Sequence, residues 1–173
     1  MNKIFWGLIF LFFDFKINEV TLLPAFVGHL LIYFGMKEYN AKYTPVAAYT
    51  KARPWVIAAA VWTAIFWLPL INPGYLSVIG TALQLAVTYF IVRGVEQMEP
   101  LHGRDLGSAR LRTAWYIALV CLIVTYLANI LATVLAGGLA AIAMIVWFVA
   151  AIIYVVAFYR CKKALEEKTA QES

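Results

Sequence analysis

Charged residues are scarce in this chain. Lys, Arg, Asp and Glu make up 13% of its 173 residues, about half the share found in soluble domains. Hydrophobic residues supply 64%, and the mean hydropathy is +0.82. This balance excludes a soluble globular fold. The 14 basic residues outnumber the 9 acidic ones but lie in short stretches between apolar runs, which excludes a nucleic-acid-binding protein and favours contact with a membrane surface.

Cysteine and histidine are also rare, with two of each. Cys121 and Cys161 have no CxxC spacing and no His or Asp neighbours arranged for ligation, so we expect two free thiols and neither a disulfide nor a metal site. The catalytic motifs GxSxG and HExxH are absent, and so is the DxxDG pattern of the CDP-alcohol phosphotransferases. The sequence therefore predicts a protein that is not an enzyme and uses no cofactor.

Long apolar runs dominate what is present, and six of them are candidates for membrane helices. The predicted fold is all-α, with six transmembrane helices arranged as three helical hairpins. Together they form a single transmembrane domain over residues 1–165, followed by a polar cytoplasmic tail at 166–173. The expected helices lie at about residues 3–17, 20–39, 54–71, 75–97, 109–135 and 138–162.

The first apolar run, residues 4–13, leaves two alternatives open. Ten residues at ~1.5 Å each reach only ~15 Å, about half of the hydrocarbon core. Either the helix continues through Asp14 and Lys16, whose side chains then extend to the outer surface, or it is a short re-entrant helix. The second alternative gives five crossings, with the N-terminus outside and the first segment dipping in from that face.

The distribution of basic residues predicts the orientation. With six crossings and a cytoplasmic N-terminus, 13 of the 14 basic residues fall in the inner stretches, and only Lys16 lies outside. Cytoplasmic segments of membrane proteins carry such an excess of Lys and Arg. We therefore expect both termini to be cytoplasmic.

A few polar side chains interrupt the predicted spans. His29 is the only ionisable residue deep in a span, and counting from the helix ends places it and Gln84 near the midplane. Thr88 shares a helical face with Gln84, while Thr125 and Asn129 belong to a second polar seam at intervals of four. These groups either line a path for a small molecule or ion, or hydrogen-bond packed helices at ~0.6 kcal/mol each.

The first alternative predicts a small-molecule or ion binding or transport component with a polar seam at the midplane. The second predicts a non-catalytic membrane scaffold, or an accessory subunit of a larger complex. Either protein would be embedded in the lipid bilayer, with a homo-oligomer or a membrane partner subunit as its possible protein contact and no nucleic acid.

Charged residues near the two membrane surfaces are further candidates. On the outer face, Asp14 and Glu19 could attract a cation or a basic partner, although a hydrophilic turn also explains them. On the inner face, basic residues are expected to contact anionic lipid head groups, each contact contributing ~1 kcal/mol. The residues of this inner set are Lys51, Arg53, Arg104, Arg110 and Arg112.

Residues 22–36 read Leu-Leu-Pro-Ala-Phe-Val-Gly-His-Leu-Leu-Ile-Tyr-Phe-Gly-Met and follow a Phe-rich run that ends at Asp14. This stretch resembles the first hairpin of a family of small multi-pass membrane proteins of Gram-positive bacteria that has no assigned activity. Lys-Ala-Arg-Pro at 51–54 matches a later motif of that family. Ala25 and His29 stand where the family has an acid and a tyrosine. The resemblance covers about a third of the chain and implies a bacterial plasma membrane, without a mechanism.

Overall fold

The computed structural model describes residues 1–13, 16–17, 20–21, 24–67, 77–131 and 134–171, with side chains for 1–13, 24–67, 77–127 and 141–167. Within these residues, the prediction of a helical fold with six helices is confirmed. A two-residue antiparallel strand pair, β1 (Lys16–Ile17) and β2 (Val20–Thr21), lies between the first two helices. The helices are α1 (Asn2–Phe12), α2 (Ala25–Lys42), α3 (Ala47–Ile65), α4 (Ser77–His102), α5 (Ser108–Leu131) and α6 (Val134–Gln171).

The helices form a closed ring. Each packs against its neighbours in chain order, and α1 also packs against α6. Apolar side chains from all six helices pack together in its interior. The buried core includes Leu8, Met36, Val56, Ile91, Leu111 and Phe158.

The connection between α1 and α2 differs from the prediction. The first helix ends at Phe12 instead of continuing to residue 17, and α2 begins at Ala25 instead of residue 20. Pro24 occupies the N-cap of α2 in an extended conformation, and a proline ring disfavours helix in the residue before it. β-Branched Ile17, Val20 and Thr21 favour the extended backbone of the strand pair.

Close backbone contact joins α1 and α2 as an antiparallel pair. A Cβ added at Gly7 would lie 2.6 Å from the carbonyl oxygen of Gly28, so only glycine fits there. Near the start of α1, the Lys3 Nζ lies 2.8 Å from a carboxylate oxygen of Glu38, close to the end of α2. The N-terminus thus lies at the end of the bundle where α2 finishes. This arrangement favours a first segment that enters from the end where α2 finishes over one that dips in from the face where α2 begins.

Helix α3 begins at Ala47, seven residues before the predicted start at 54, and it contains Pro54. Side chains from other helices make this earlier start possible. Asn40 of α2 accepts a hydrogen bond from the backbone N–H of Val46 at 3.0 Å, and Gln97 of α4 accepts one from Ala48 at 2.9 Å. These bonds satisfy N–H groups that a helix start leaves without partners.

The remaining helix ends also differ from the prediction. Helix α3 ends at Ile65 rather than 71, and α4 runs from Ser77 to His102 rather than from 75 to 97. Helix α5 ends at Leu131 and α6 begins at Val134, so residues 136–137, which the prediction left between the fifth and sixth helices, are helical. Glycine is tolerated in membrane helices more readily than in soluble ones.

The expected polar tail at 166–173 is helical as far as Gln171, and residues 172–173 lie outside the described part. Two ion pairs at i,i+4 spacing support this extension: Lys162 with Glu166 at 3.8 Å and Lys163 with Glu167 at 3.9 Å. Pairs at this spacing stabilise a helix, and Ala, Glu, Lys and Gln are strong helix formers.

Three helical stretches are long and apolar enough to cross a membrane: Ser77–His102, Ser108–Leu127 and Ala141–Glu167. Large apolar side chains also cover the outside of these helices, and Ile145 is 66% exposed. Soluble monomers rarely expose contiguous apolar surface of this kind. These features suggest insertion into a membrane.

The first three helices are shorter or more charged. Helix α1 is apolar but has only 11 residues, which span ~16 Å. Helix α2 carries Lys37, Glu38 and Lys42 near its end, and α3 carries Lys51 and Arg53 near its start. Length and composition alone therefore indicate three crossings within the described residues rather than the predicted six.

Candidate functional site: a cavity between α4, α5 and α6

The predicted polar face of α4 points into a cavity. Thr81, Gln84 and Thr88 lie one helical turn apart and line a space of about 120 Å³ between α4, α5 and α6. Phe12, the last residue of α1, also lines it. The end of the short first helix thus lies against this cavity.

Small residues leave the cavity open. Ala114 and Ala118 of α5 and Ala150 and Ala151 of α6 line it, where larger side chains would fill the space. Indole and phenol rings form much of the remaining wall, from Trp115, Trp147 and Tyr154. The cavity is therefore mainly apolar.

Hydrogen bonds satisfy most polar groups around the cavity. The Tyr154 hydroxyl donates to the carbonyl oxygen of Thr88 at 2.8 Å. The Trp115 indole N–H donates to the Thr88 hydroxyl and to the Leu85 carbonyl oxygen, both at 3.2 Å. The Thr88 hydroxyl in turn donates to the Gln84 carbonyl oxygen at 2.9 Å. These bonds hold α4, α5 and α6 together around the space.

Gln84 is the exception. Its side chain lines the cavity, and its amide forms no hydrogen bond with any residue that the structure describes. A side-chain amide carries two N–H donors and an oxygen acceptor. The cavity therefore offers one unused group that can both donate and accept a hydrogen bond.

His29 lies elsewhere. It is buried on the face of α2 that also carries Ile32 and Met36, and it does not line the cavity. Its Nδ1 has no hydrogen-bond partner among the described residues. The structure therefore does not bring His29 together with Gln84, although both were expected at the midplane.

Thr125, from the predicted seam on α5, does not line the cavity. The Thr125 hydroxyl donates to the Cys121 carbonyl oxygen of its own helix at 2.8 Å. Asn129 lies on α5, but its side chain is outside the described part of the chain. Asp14 and Glu19, which were expected on the outer face, also lie outside it. Four of the five residues expected along a ligand or ion path have described side chains, and two of these four, Gln84 and Thr88, line the cavity.

The basic residues expected at lipid head groups differ in their surroundings. Arg112 lies 3.3 Å from the Glu96 carboxylate, which also binds Arg93 at 2.7 Å. The Nε of Arg53 is buried and has no hydrogen-bond partner among the described residues. The other three are exposed and form no ion pair with any described residue: Lys51, Arg104 and Arg110.

Glu99 shapes the loop between α4 and α5. Its carboxylate accepts hydrogen bonds from the Leu106 N–H at 3.1 Å, the Ser108 N–H at 2.8 Å and the Ser108 hydroxyl at 2.6 Å. Gly103 and Gly107 adopt positive φ angles of 61° and 82°, which turn the chain. Sequence reasoning missed Glu99, as it missed Asn40 and Gln97. For Asn40 and Gln97 a signal was available in the sequence, because Val46 at the start of α3 has no side chain that could cap the helix.

A second cavity, of about 380 Å³, opens at the end of the bundle where α1 begins. Its lining includes Lys3, Lys42 and Glu38, and Glu38 binds both lysines, at 2.8 and 3.6 Å. Burial lowers the pKa of the Met1 amino group below its ordinary value. Because these lysines share one carboxylate, much of the charge in this cavity is already compensated.

No protein-family model, no curated protein and no solved structure matches the chain. The family resemblance of residues 22–36 therefore stays a prediction. Cys121 and Cys161 are buried free thiols. Among the residues that the structure describes, no group of three His, Cys, Asp or Glu side chains is placed to hold a metal ion.

Proposed function

We propose that this chain is an integral membrane protein that binds a small, mainly apolar molecule in the cavity between α4, α5 and α6. The free amide of Gln84 is the observation that carries the proposal. A polar group in an apolar site costs free energy until a partner satisfies it. A ligand with one hydroxyl, carbonyl or amide group would supply that partner, while its apolar part contacts the aromatic and alanine wall.

The size of the cavity restricts the ligand. Its volume of about 120 Å³ is close to the ~150 Å³ apolar cavity that holds benzene, and well below the ~300 Å³ at which drug-sized sites begin. The ligand class is therefore a single ring or a short chain with one hydrogen-bonding group.

The geometry favours binding over an ion path. The Thr and Gln side chains that line the cavity come from α4, whereas His29 and Thr125 lie elsewhere. A relay of groups through the membrane would need several of them in sequence. Transport of the ligand stays a prediction. A membrane scaffold without a ligand is the alternative outcome of the experiment below.

We also propose that all six helices lie in a bacterial plasma membrane, with both termini cytoplasmic. Helices α1 and α3 pack against α6 and α4, which are long enough to cross, so the ring inserts as one unit. The position of 13 of 14 basic residues supports the orientation. Cysteines introduced at exposed Tyr43 and exposed Trp67 test it: an impermeant thiol reagent should reach the first only from the cytoplasmic side and the second only from outside.

Phenol and benzene are suitable probes, since they differ by the hydroxyl that Gln84 would bind. Thermal stabilisation of the protein in lipid nanodiscs gives the affinity for each. The wild-type protein should bind phenol about 5-fold more tightly than benzene, the effect of one net hydrogen bond. Gln84→Leu should abolish this preference and keep benzene binding, which shows that the cavity persists.

Matched controls define the outcome. Thr125→Val removes a hydroxyl outside the cavity and should keep the preference for phenol. Ala118→Phe should fill the cavity and abolish binding of both probes, whereas Ala82→Phe, on an exposed face of α4, should not. If Gln84→Leu retains the preference, or if Ala118→Phe binds both probes normally, the proposal is wrong and the scaffold alternative is favoured.

A further inference from the structure

A groove runs along the surface between α5 and α6, with a volume of about 550 Å³. Ala114 and Ala157 form its floor, since both line it and are less than a tenth exposed. Ile117 of α5 and Ile153 of α6 line it with partly exposed side chains. The small floor residues and the larger wall residues make a long apolar depression on the outside of the bundle.

Two arginines lie at one end of this groove, Arg110 from α5 and Arg160 from α6. Both are exposed, and neither forms an ion pair with a residue that the structure describes. Nearby cations are paired, as Arg112 is with Glu96 and Lys162 with Glu166. Among the described residues, the end of the groove therefore carries two positive charges without an anionic partner.

The spacing of charge and apolar wall matches the depth profile of a membrane. Ile117 follows Arg110 by seven residues, and Ile153 precedes Arg160 by seven, so each isoleucine lies ~10 Å along its helix from the arginine. That distance is about a third of the ~30 Å hydrocarbon core. With the guanidinium groups at head-group level, the apolar walls extend into the acyl-chain region.

We propose that this groove binds one anionic glycerophospholipid. The phosphate accepts hydrogen bonds from Arg110 and Arg160, because guanidinium groups bind phosphate oxygens in pairs. One acyl chain lies along the apolar walls. A free phosphate would contact only the two arginines and would leave the space between the apolar walls empty. The site is separate from Gln84, and sequence reasoning alone included Arg110 but not Arg160.

Competition between two lipids tests the proposal. The protein is placed in nanodiscs with equal amounts of phosphatidylglycerol and phosphatidylcholine, and native mass spectrometry measures which lipid stays bound after release. Each arginine near an anionic surface contributes about a 5-fold preference, so the wild-type protein should retain phosphatidylglycerol by about 25-fold. Arg110→Gln combined with Arg160→Gln should reduce the preference to near 1-fold.

The control variant carries the same change in net charge. Lys37→Gln combined with Lys163→Gln removes two exposed cations outside the groove and should leave the preference unchanged. Equal losses in the two double variants would overturn the proposal, since they would indicate a general surface charge effect. Retention of both lipids in equal amounts by the wild-type protein would overturn it too.

A second pair of variants tests the groove without changing charge. Ala109→Trp places an indole in the groove beside Arg110 and should lower the retained phosphatidylglycerol about 5-fold or more, whereas Ala47→Trp, at the exposed start of α3, should not. Soluble glycerol 3-phosphate should fail to displace the lipid. Complete displacement, or normal lipid retention by Ala109→Trp, would show that the apolar walls play no part and would contradict a lipid site.

Discussion

The two halves of the helical ring build their interiors differently. In α1 to α3, the backbones of Gly7 and Gly28 are in close contact. Four buried polar atoms there have no partner among the described residues: His29 Nδ1, the Tyr39 and Tyr49 hydroxyls and Arg53 Nε. In α4 to α6, alanines leave a cavity, and the polar groups around it are hydrogen-bonded apart from Gln84.

Small residues have different effects in the two halves of this apolar bundle. Glycine on two facing helices brings their backbones together and leaves no space between them. Alanine facing large aromatic rings keeps the helices apart and leaves a gap. The position of the small residues therefore decides where a ligand can enter.

The largest expected effect breaks the glycine contact. In Gly7→Ala the new methyl group would lie 2.6 Å from the Gly28 carbonyl oxygen, so α1 and α2 must separate. We expect a loss of about 2–4 kcal/mol in the free energy of unfolding, measured by denaturation in detergent micelles. Gly80→Ala is the control from the other half: its methyl would meet only the Trp62 side chain, which can move. A smaller loss of unfolding free energy in Gly7→Ala than in Gly80→Ala would contradict the closer backbone contact in the first half.

The connections from α2 to α3 and from α4 to α5 are built alike, because in each one a side chain of the preceding helix accepts hydrogen bonds from the backbone. Glu99→Ala removes an acceptor of three hydrogen bonds and should cost about 2 kcal/mol, whereas Asn40→Ala should cost about 1 kcal/mol. Denaturation gives both values, and amide hydrogen exchange should rise in the first turn of α5 or α3. Glu167→Ala, an exposed residue with a pair at 3.9 Å, should change little. Equal stability of all three variants would rule out capping by Glu99.

A pair of tyrosines gives a smaller contrast. Tyr154→Phe removes a hydrogen bond of 2.8 Å to Thr88 and should lower the free energy of unfolding by about 1 kcal/mol. Tyr49→Phe removes a buried hydroxyl without a partner among the described residues, so stability should stay the same or rise. Denaturation of the two variants under identical conditions measures the difference. A larger loss in Tyr49→Phe would mean that the first half holds an unrecognised partner.

The smallest expected effect concerns His29. His29→Leu replaces a buried ring whose Nδ1 has no described partner, so stability should change by less than about 1 kcal/mol, and phenol binding should be unchanged. The thermal shift with phenol measures both. Loss of phenol binding in this variant would mean that both halves contribute to one functional site, and it would contradict the difference between them.

The number of helices follows largely from the sequence pattern, but the residues at which they begin and end do not. Apolar runs predict six helices because each must satisfy its own backbone in a membrane. The start of α3 depends on Asn40 and Gln97, and that of α5 on Glu99, which belong to other helices. Such caps become visible only once the helices are packed.

The candidate site was predictable for one helix at a time. Spacing places Gln84 and Thr88 on one face of α4, and both line the cavity. Counting residues gives the depth of His29 but not the direction in which its helix turns it. The rotation of α2 is set by glycine contacts with α1, which is why His29 and Gln84 are separated.

The most direct test of the ligand cavity observes Gln84 itself. The chain contains three glutamines, Gln84, Gln97 and Gln171, so selective ¹⁵N labelling of glutamine side chains gives three amide signals, and Gln84→Leu identifies the one from the cavity. On addition of phenol to the protein in nanodiscs, we predict that the Gln84 signal shifts in a saturable manner while the other two stay in place. With benzene, the shift should be smaller. An unchanged Gln84 signal at saturating phenol would contradict the proposed function.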